Sequence, residues 1–255
     1  MVNSEPIQNL ITPADNPFWK RQLSFLRPLS TRLRGIRFRH ILLGIAVALA
    51  LAWTLACITF IALRWIDPPT TAVQMQRRFQ SLIHGTPYHK HYRFIPLRDI
   101  SPELQHAVVA AEDARFFQHH GFDWHEIQIA AEDDLEGTRS RGASTITQQL
   151  VKNLFFGTGR SYLRKGAEFV LVPVAELVLT KQRILELYLN LVEWGPGIYG
   201  ADAAARYHYQ TPARNLNRDQ SARLAAILPS PLRRRPARMT HSSTLIQERM
   251  RQMGW

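Results

Sequence analysis

Cysteine is nearly missing from this sequence. Cys57 is the single one in 255 residues, so no internal disulfide can form. It lies in an apolar run, where a thiol behaves as a small buried hydrophobe. There is no Cys/His spacing of the kind that holds a structural metal, no internal repeat and no low-complexity tract. Acid is scarce at the N-terminus: residues 1–40 carry Lys20, Arg21, Arg27, Arg32, Arg34, Arg37 and Arg39 against only Glu5 and Asp15. Pro6, Pro13, Pro17 and Pro28 interrupt any long helix there, so a flexible basic tail is expected. The whole chain has a net charge of +12, which calls for an anionic partner: nucleic acid, phospholipid or a phosphate-bearing substrate.

Charge of either sign is absent from Ile41 to Leu63. As a helix this run is about 35 Å long, enough for a hydrocarbon core of about 30 Å. The run is too long, and its basic lead too extended, for a cleaved signal peptide, and no small-residue cleavage site follows. Positive charge is heavier before the run than after it, which places the N-terminus in the cytoplasm and everything after Leu63 outside the membrane. That topology argues against nucleic acid as the partner. The expected organisation is a cytoplasmic tail over 1–40, one transmembrane helix over 41–63, a connector over 64–92 and a mainly α domain over 93–255.

Within the domain, Ser101-Pro102 opens a helix, the hydroxyl capping free N–H groups and Pro standing at the first helical position. Leu104 and Val108 mark its apolar stripe, and Glu112 is the next position on it. A carboxylate there is partly desolvated, which lifts its pKa towards general-base use. Residues 132–142 are rich in charge and turn formers and read as a mobile loop. A helix follows to about Phe155, with Thr145 and Gln148 spaced as a capping box. Its polar face carries Thr145, Gln148, Gln149, Lys152 and Asn153 within a sector of about 140°, a candidate ligand-facing wall. Arg164 and Lys165 stand one turn before Glu168, and the apolar run after Glu168 predicts a central buried helix that Pro173 should kink or interrupt. A helix over 181–190, a glycine-rich loop over 194–200 and helices over 201–207 and 218–228 complete the pattern. An arginine-bearing tail follows, able to touch anionic lipid.

Five blocks then fall in order: Glu112-Asp113-x-x-Phe116-Phe117-x-His119-His120-Gly121; Gly142-Ala143-Ser144-Thr145-Ile146-Thr147-Gln148-Gln149-Leu150-x-Lys152-Asn153; Arg164-Lys165-x-x-Glu168; Lys181-x-x-Ile184-Leu185-Glu186-x-Tyr188-Leu189-Asn190; and Leu224-Ala225-Ala226-Ile227-Leu228-Pro229. With these the chain resembles glycosyltransferase family 51, the peptidoglycan transglycosylases, over roughly Phe94 to Pro231. It is most similar to members with one membrane anchor and no penicillin-binding domain. No Ser-x-x-Lys or Lys-Thr-Gly motif is present, so transpeptidation is not expected. Ala143 stands where much of the family has glycine, and Gln220 where the last block often has Glu.

The resemblance implies a lysozyme-like helical domain that polymerises lipid II onto a nascent glycan strand, forming β-1,4 links with inversion and releasing undecaprenyl pyrophosphate. Glu112 and Glu168 are the implied catalytic acids. Lys152, Arg160, Arg164 and Lys165 are placed to meet the pyrophosphate charge, and Asp113, Ser144, Thr145, Gln148, Gln149 and Asn153 to bind substrate. No cofactor is required and no metal ligands are identified, although a divalent cation such as Mg can share phosphate charge. The resemblance also implies that the membrane is the bacterial inner (cytoplasmic) membrane, with the domain in the periplasm. Membrane lipids and cell-wall synthesis proteins are the further expected partners. A lysozyme-type enzyme that cleaves the same glycan, and a non-catalytic wall scaffold, are the alternatives the residues leave open.

Overall fold

The computed structural model describes residues 38–135, 142–159 and 161–255, and the chain divides after Thr54 into two compact units. The first contains most of helix α1 (Phe38–Ala62), whose side chains from Leu42 to Trp53 are exposed in an apolar stretch long enough to cross a membrane. The last turns of α1 belong to the second unit. There Ala56, Phe60 and Leu63 are buried, and the Phe60 ring meets Phe155 edge-on at 5.2 Å.

The second unit is mainly helical, as the sequence predicts. Its helices are α2 (Ala72–His84), α3 (Pro102–Glu112), α4 (Trp124–Leu135), α5 (Ile146–Phe155), α6 (Tyr162–Val178), α7 (Lys181–Leu191), α8 (Ala201–Tyr209), α9 (Arg218–Ile227) and α10 (Thr240–Gln252). One layer packs α3 against α9 and α10; the other packs α5 against α2, α6 and α7. Leu104, Val108, Phe116, Ile146, Leu150 and Leu187 are buried in the shared core. A small sheet of order β1-β3-β2 joins β1 (His91–Tyr92), β2 (Glu193–Gly195) and β3 (Ile198–Tyr199), with β1 parallel and β2 antiparallel to β3.

Side chains of the fourth sequence block hold these layers together. Asn190 accepts the Ile95 N–H and donates to the Ile95 carbonyl, both at 2.9 Å. Glu186 accepts the Leu97 N–H at 2.8 Å and pairs with Arg183 at 2.7 Å. Lys181 reaches back to Glu176 at 2.8 Å. The bonds to Ile95 and Leu97 satisfy backbone groups of the segment that leads into α3.

Several expectations are corrected. Ser101 does not cap α3; its hydroxyl donates to the Leu216 carbonyl at 2.8 Å, tying the start of α3 to the segment before α9. Glu132 to Leu135 continue α4 rather than opening a loop, because Gln128 and Glu132 bond across one turn at 3.0 Å; residues 136–141 lie outside the described residues. The apolar run after Glu168 is not buried all round: Leu171, Val172 and Ala175 face the core, while Phe169, Val170 and Leu177 are exposed. α6 continues through Pro173 without interruption. The glycine-rich stretch over 194–200 is the β2–β3 turn, and the arginine-bearing tail folds back to form α10 against α9. The segment 64–92 contains α2.

Candidate active site

The site forms where the C-terminus of α3 meets the N-terminus of α5. α3 ends at Glu112, and Asp113 leaves the helix with its carboxylate turned to α5. One Asp113 oxygen accepts the Ile146 N–H at 2.9 Å, supplying an anion to the first turn of α5, where the helix dipole favours one. The other pairs with His119 Nε2 at 2.9 Å. The capping box predicted from the sequence is present: Thr145 and Gln148 exchange side-chain-to-backbone bonds at 3.2 Å each way. The Thr145 hydroxyl also donates to the Gly121 carbonyl at 2.6 Å. Gly121 has φ +93°, and a Cβ there would lie 2.4 Å from Val172, so only glycine allows this turn to sit against α6.

These bonds leave Glu112 at the edge of a cleft of about 320 Å³, lined also by Asp113, Ser144, Thr145 and, from α10, Arg249 and Gln252. Glu112 is half-buried. Gln149 Nε2 donates to it at 2.7 Å, and the buried Tyr188 hydroxyl donates to Gln149 Oε1 at 2.9 Å. Burial pushes the Glu112 carboxyl above the ordinary glutamate range; the Gln149 bond and the charges of Lys152 and Arg234 oppose that rise. Burial, reinforced by the charges of Glu112 and Asp113, holds the Tyr188 phenol well above its usual range, so it remains a donor and fixes the Gln149 amide orientation.

Lys152 links the two acids. Burial draws its ammonium below the usual lysine range, while the negative charges of Glu168 and then Glu112 hold it up. Glu168 is buried on α6, with Arg164 Nε 3.0 Å and Lys165 Nζ 3.5 Å from its oxygens. The Arg164 approach is an ion pair by distance without hydrogen-bond alignment. Arg164 also donates to the carbonyls of Gly157 and Gly159.

The structure thus brings Glu112, Asp113, Ser144 and Thr145 to one cleft, bonds Gln149 to Glu112 behind it, and lets the charges of both Glu168 and Glu112 act on Lys152. Not every predicted residue presents free polar atoms. Thr145 spends its hydroxyl and Gln148 its amide oxygen in the cap, Asp113 both oxygens in its two bonds, and the buried Asn153 amide donates to the Gln149 carbonyl at 2.8 Å. Arg160 lies outside the described residues. Two cations were missed. Arg234, anchored on the Ala226 carbonyl at 2.8 Å, acts on Glu112, and Arg249 lines the cleft. Both sit in a stretch that sequence alone presents as a solvated tail.

Asp113, His119 and Asp123 bring ligand-type atoms within 4.8 Å of one another. They do not fit a metal. His119 Nδ1 accepts the Gly121 N–H at 3.2 Å, which places the neutral ring's proton on Nε2, donated to Asp113, and leaves neither nitrogen a free lone pair.

The transglycosylase family model matches residues 79–253, most of the chain and the whole of this cleft. The chain belongs to the transglycosylase family. Relatives named biosynthetic peptidoglycan transglycosylase agree. The one from Pseudomonas entomophila is 46% identical over 198 residues, covering 76% of this chain and 84% of its own. The one from Pseudomonas aeruginosa is 43% identical over 210 residues, covering 80% and 90%. The one from Brucella suis is 50% identical over 150 residues, covering 59% and 67%. Glycosyl transfer in general calls on a group that takes a proton from a hydroxyl and on groups that stabilise developing charge. Glu112 and the Lys152–Arg164–Lys165 set are chemically suited to those tasks.

Proposed function

We propose that this transglycosylase polymerises lipid II into β-1,4-linked glycan strands, with Glu112 as general base. Peptidoglycan glycosyl transfer is the activity its family carries; the substrate, stereochemistry and residue roles are our reading. Glu112 takes the proton of the acceptor sugar's 4-hydroxyl. That oxygen forms a bond to the donor's anomeric carbon from the face opposite the pyrophosphate. The bond from that carbon to the pyrophosphate oxygen breaks, the carbon inverts, and undecaprenyl pyrophosphate leaves with the electron pair.

The observation that carries this reading is the Gln149–Glu112 bond at 2.7 Å, made from the same helix that carries Lys152, whose ammonium the charges of Glu168 and Glu112 hold up. A hydrolase must protonate a poor alkoxide leaving group and so requires a free carboxylic acid opposite the base. Here the second acid is engaged by Arg164 and Lys165, which suits a carboxylate that organises cations around a leaving diphosphate. Lys152, Arg164 and Lys165 supply that charge, joined in our reading by Arg160. The exposed Ser144 hydroxyl is available to sugar oxygens, while Gln149 spends its amide on Glu112 and Tyr188 and so positions the base. Asp113, Thr145, Gln148 and Asn153 act on substrate mainly through the shape they give the wall. A divalent cation, if one takes part, rides on the substrate's phosphates. The apolar α1 anchors the chain in the cytoplasmic membrane with the domain outside, and the chain carries no transpeptidase activity.

The experiment is to supply the full chain with lipid II and, separately, with finished peptidoglycan. Glycan polymer from lipid II without an added energy source supports the proposal; soluble fragments from finished wall with no polymer from lipid II would replace it with a cleaving enzyme.

A further inference from the structure

The proposed reaction leaves α2 without a task, yet this helix is built in an unusual way. Met75, Phe79, Leu82 and Ile83 are 62–72% exposed. At about 100° per residue they fall, with Arg78, within a sector of about 140°. The opposite face is committed to the fold: Val73 and Gln74 are 2% exposed, and Arg77 pairs with Glu193 at 2.9 Å. The Thr71 hydroxyl accepts the Gln74 N–H at 3.3 Å, and Gly85 at φ 62° ends the helix. The helix therefore cannot roll its apolar stripe inward. It also contains no acidic residue.

Its position narrows what can cover that stripe. α2 begins ten residues after the end of α1, a reach of at most about 35 Å, and the intervening chain is fastened down. Arg183 donates to the carbonyls of Leu63 and Ile66 and pairs with Asp67 at 2.8 Å. Tyr92 and Lys90 donate to the carbonyls of Pro68 and Pro69 at 2.7 and 2.8 Å. Within this tether Trp65 and Ile66 are exposed, with the Arg64 guanidinium over the indole. An aromatic at the end of an apolar span marks the level of a bilayer interface.

We propose that α2 is an interfacial helix whose Met75, Phe79, Leu82 and Ile83 face enters the headgroup layer of the same bilayer that holds α1. Arg78 meets anionic headgroups there. The partner is a lipid surface rather than a protein: the stripe is apolar, cation-flanked and acid-free, the pattern that anionic membranes bind. The inference rests on the membrane-anchored reading above. Its consequence is a second fixed point between domain and membrane, which prevents the cleft from swinging about a single anchor.

The test uses the full chain carrying Cys57→Ser and Phe79→Cys. The new thiol is labelled with a polarity-sensitive fluorophore, and the protein is reconstituted in phosphatidylglycerol–phosphatidylethanolamine vesicles. Val47→Cys in the same background reports on α1. We expect the label at 79 to shift to the blue, to be quenched by lipids bearing a shallow nitroxide, and to lose access to aqueous iodide. A label at 79 that stays open to iodide and unquenched by lipid, while the label at 47 is quenched, overturns the interfacial helix and leaves the anchor standing. Loss of lipid quenching at both positions overturns both. Shielding at 79 from iodide and nitroxide alike, or shielding that grows with protein-to-lipid ratio, assigns the face to a protein or a second copy and also overturns the proposal. None of these readouts depends on polymerisation, so failure of the proposed reaction is seen separately.

Discussion

The Gln149 amide donates to the Glu112 carboxylate at 2.7 Å. A donor aimed at the charged form favours that form, so this bond restrains the rise that burial imposes on Glu112. Removing it must let the rise proceed. Gln149→Met is expected to move the acid limb of the kcat/KM profile to higher pH, with the fold kept. Tyr188→Phe, which frees the Gln149 amide to turn, should move it the same way by less. Initial-rate pH profiles of the two variants check both; an unmoved acid limb in Gln149→Met would separate Gln149 from the base.

Lys152 must keep its proton to serve a leaving diphosphate, and the Glu168 charge is the largest influence holding that proton on. Glu168→Gln removes it. The alkaline limb of the kcat profile should therefore fall to lower pH, because Lys152 then loses its proton sooner. Lys152→Arg carries a charge that does not titrate in this range and should flatten the same limb. Profiles taken between neutral and alkaline pH decide the matter.

Asp113 reads as structural in its bonding, with one oxygen on the Ile146 N–H and the other on His119. Asp113→Ala leaves a buried N–H unsatisfied, a loss of about 1–3 kcal/mol. For a domain of this size that lowers Tm by several degrees, about 2–4 °C per kcal/mol. Ser144→Ala, at an exposed position of the same cleft, should leave Tm unchanged and act on KM. Thermal unfolding of the two variants side by side is the measurement.

Glu112 should carry a cost in stability that depends on pH. Its carboxyl titrates above the ordinary range in the folded chain, so folding favours the protonated form. Whatever stability the protonated group contributes is complete below the unfolded pKa of about 4.3 and is lost as pH rises through the folded value. Glu112→Gln, which cannot ionise, should therefore match the parent near pH 4 and be equal or more stable at pH 8. Tm measured across that interval reports it; a variant less stable at pH 8 than at pH 4, relative to the parent, would show that the carboxylate is favoured by the fold.

Much of this architecture is legible in the sequence because local rules and tertiary packing agree. The Thr145–Gln148 box is fixed by a three-residue spacing and forms as read. The Asn217–Gln220 box forms too, which explains how glutamine serves at 220: an amide oxygen accepts the Asn217 N–H as a carboxylate would. Glu112 reads as out of place on an apolar stripe and is half-buried in a cleft. What sequence could not show depends on distant partners. The Ser101 hydroxyl leaves its own helix for Leu216, more than a hundred residues away. The face of α6 that stays exposed carries the same apolar letters as the face that is buried. Arg249 becomes part of the site only because α10 folds back, and Arg234 acts on Glu112 from its anchor on the Ala226 carbonyl; an arginine run carries no periodic signal to announce either. The exposed stripe on α2 has the spacing of a core helix, and only coordinates reveal which side the core lies on.

The most direct test of the central claim is lipid II polymerisation by the full-length Glu112→Gln variant, with folding verified by Tm. If Glu112 is the base that deprotonates the acceptor hydroxyl, kcat falls by about 10²–10⁴ while the protein stays folded and retains lipid II binding. Polymerisation within a few-fold of the parent would contradict the account and send the search for the base to another group in the cleft.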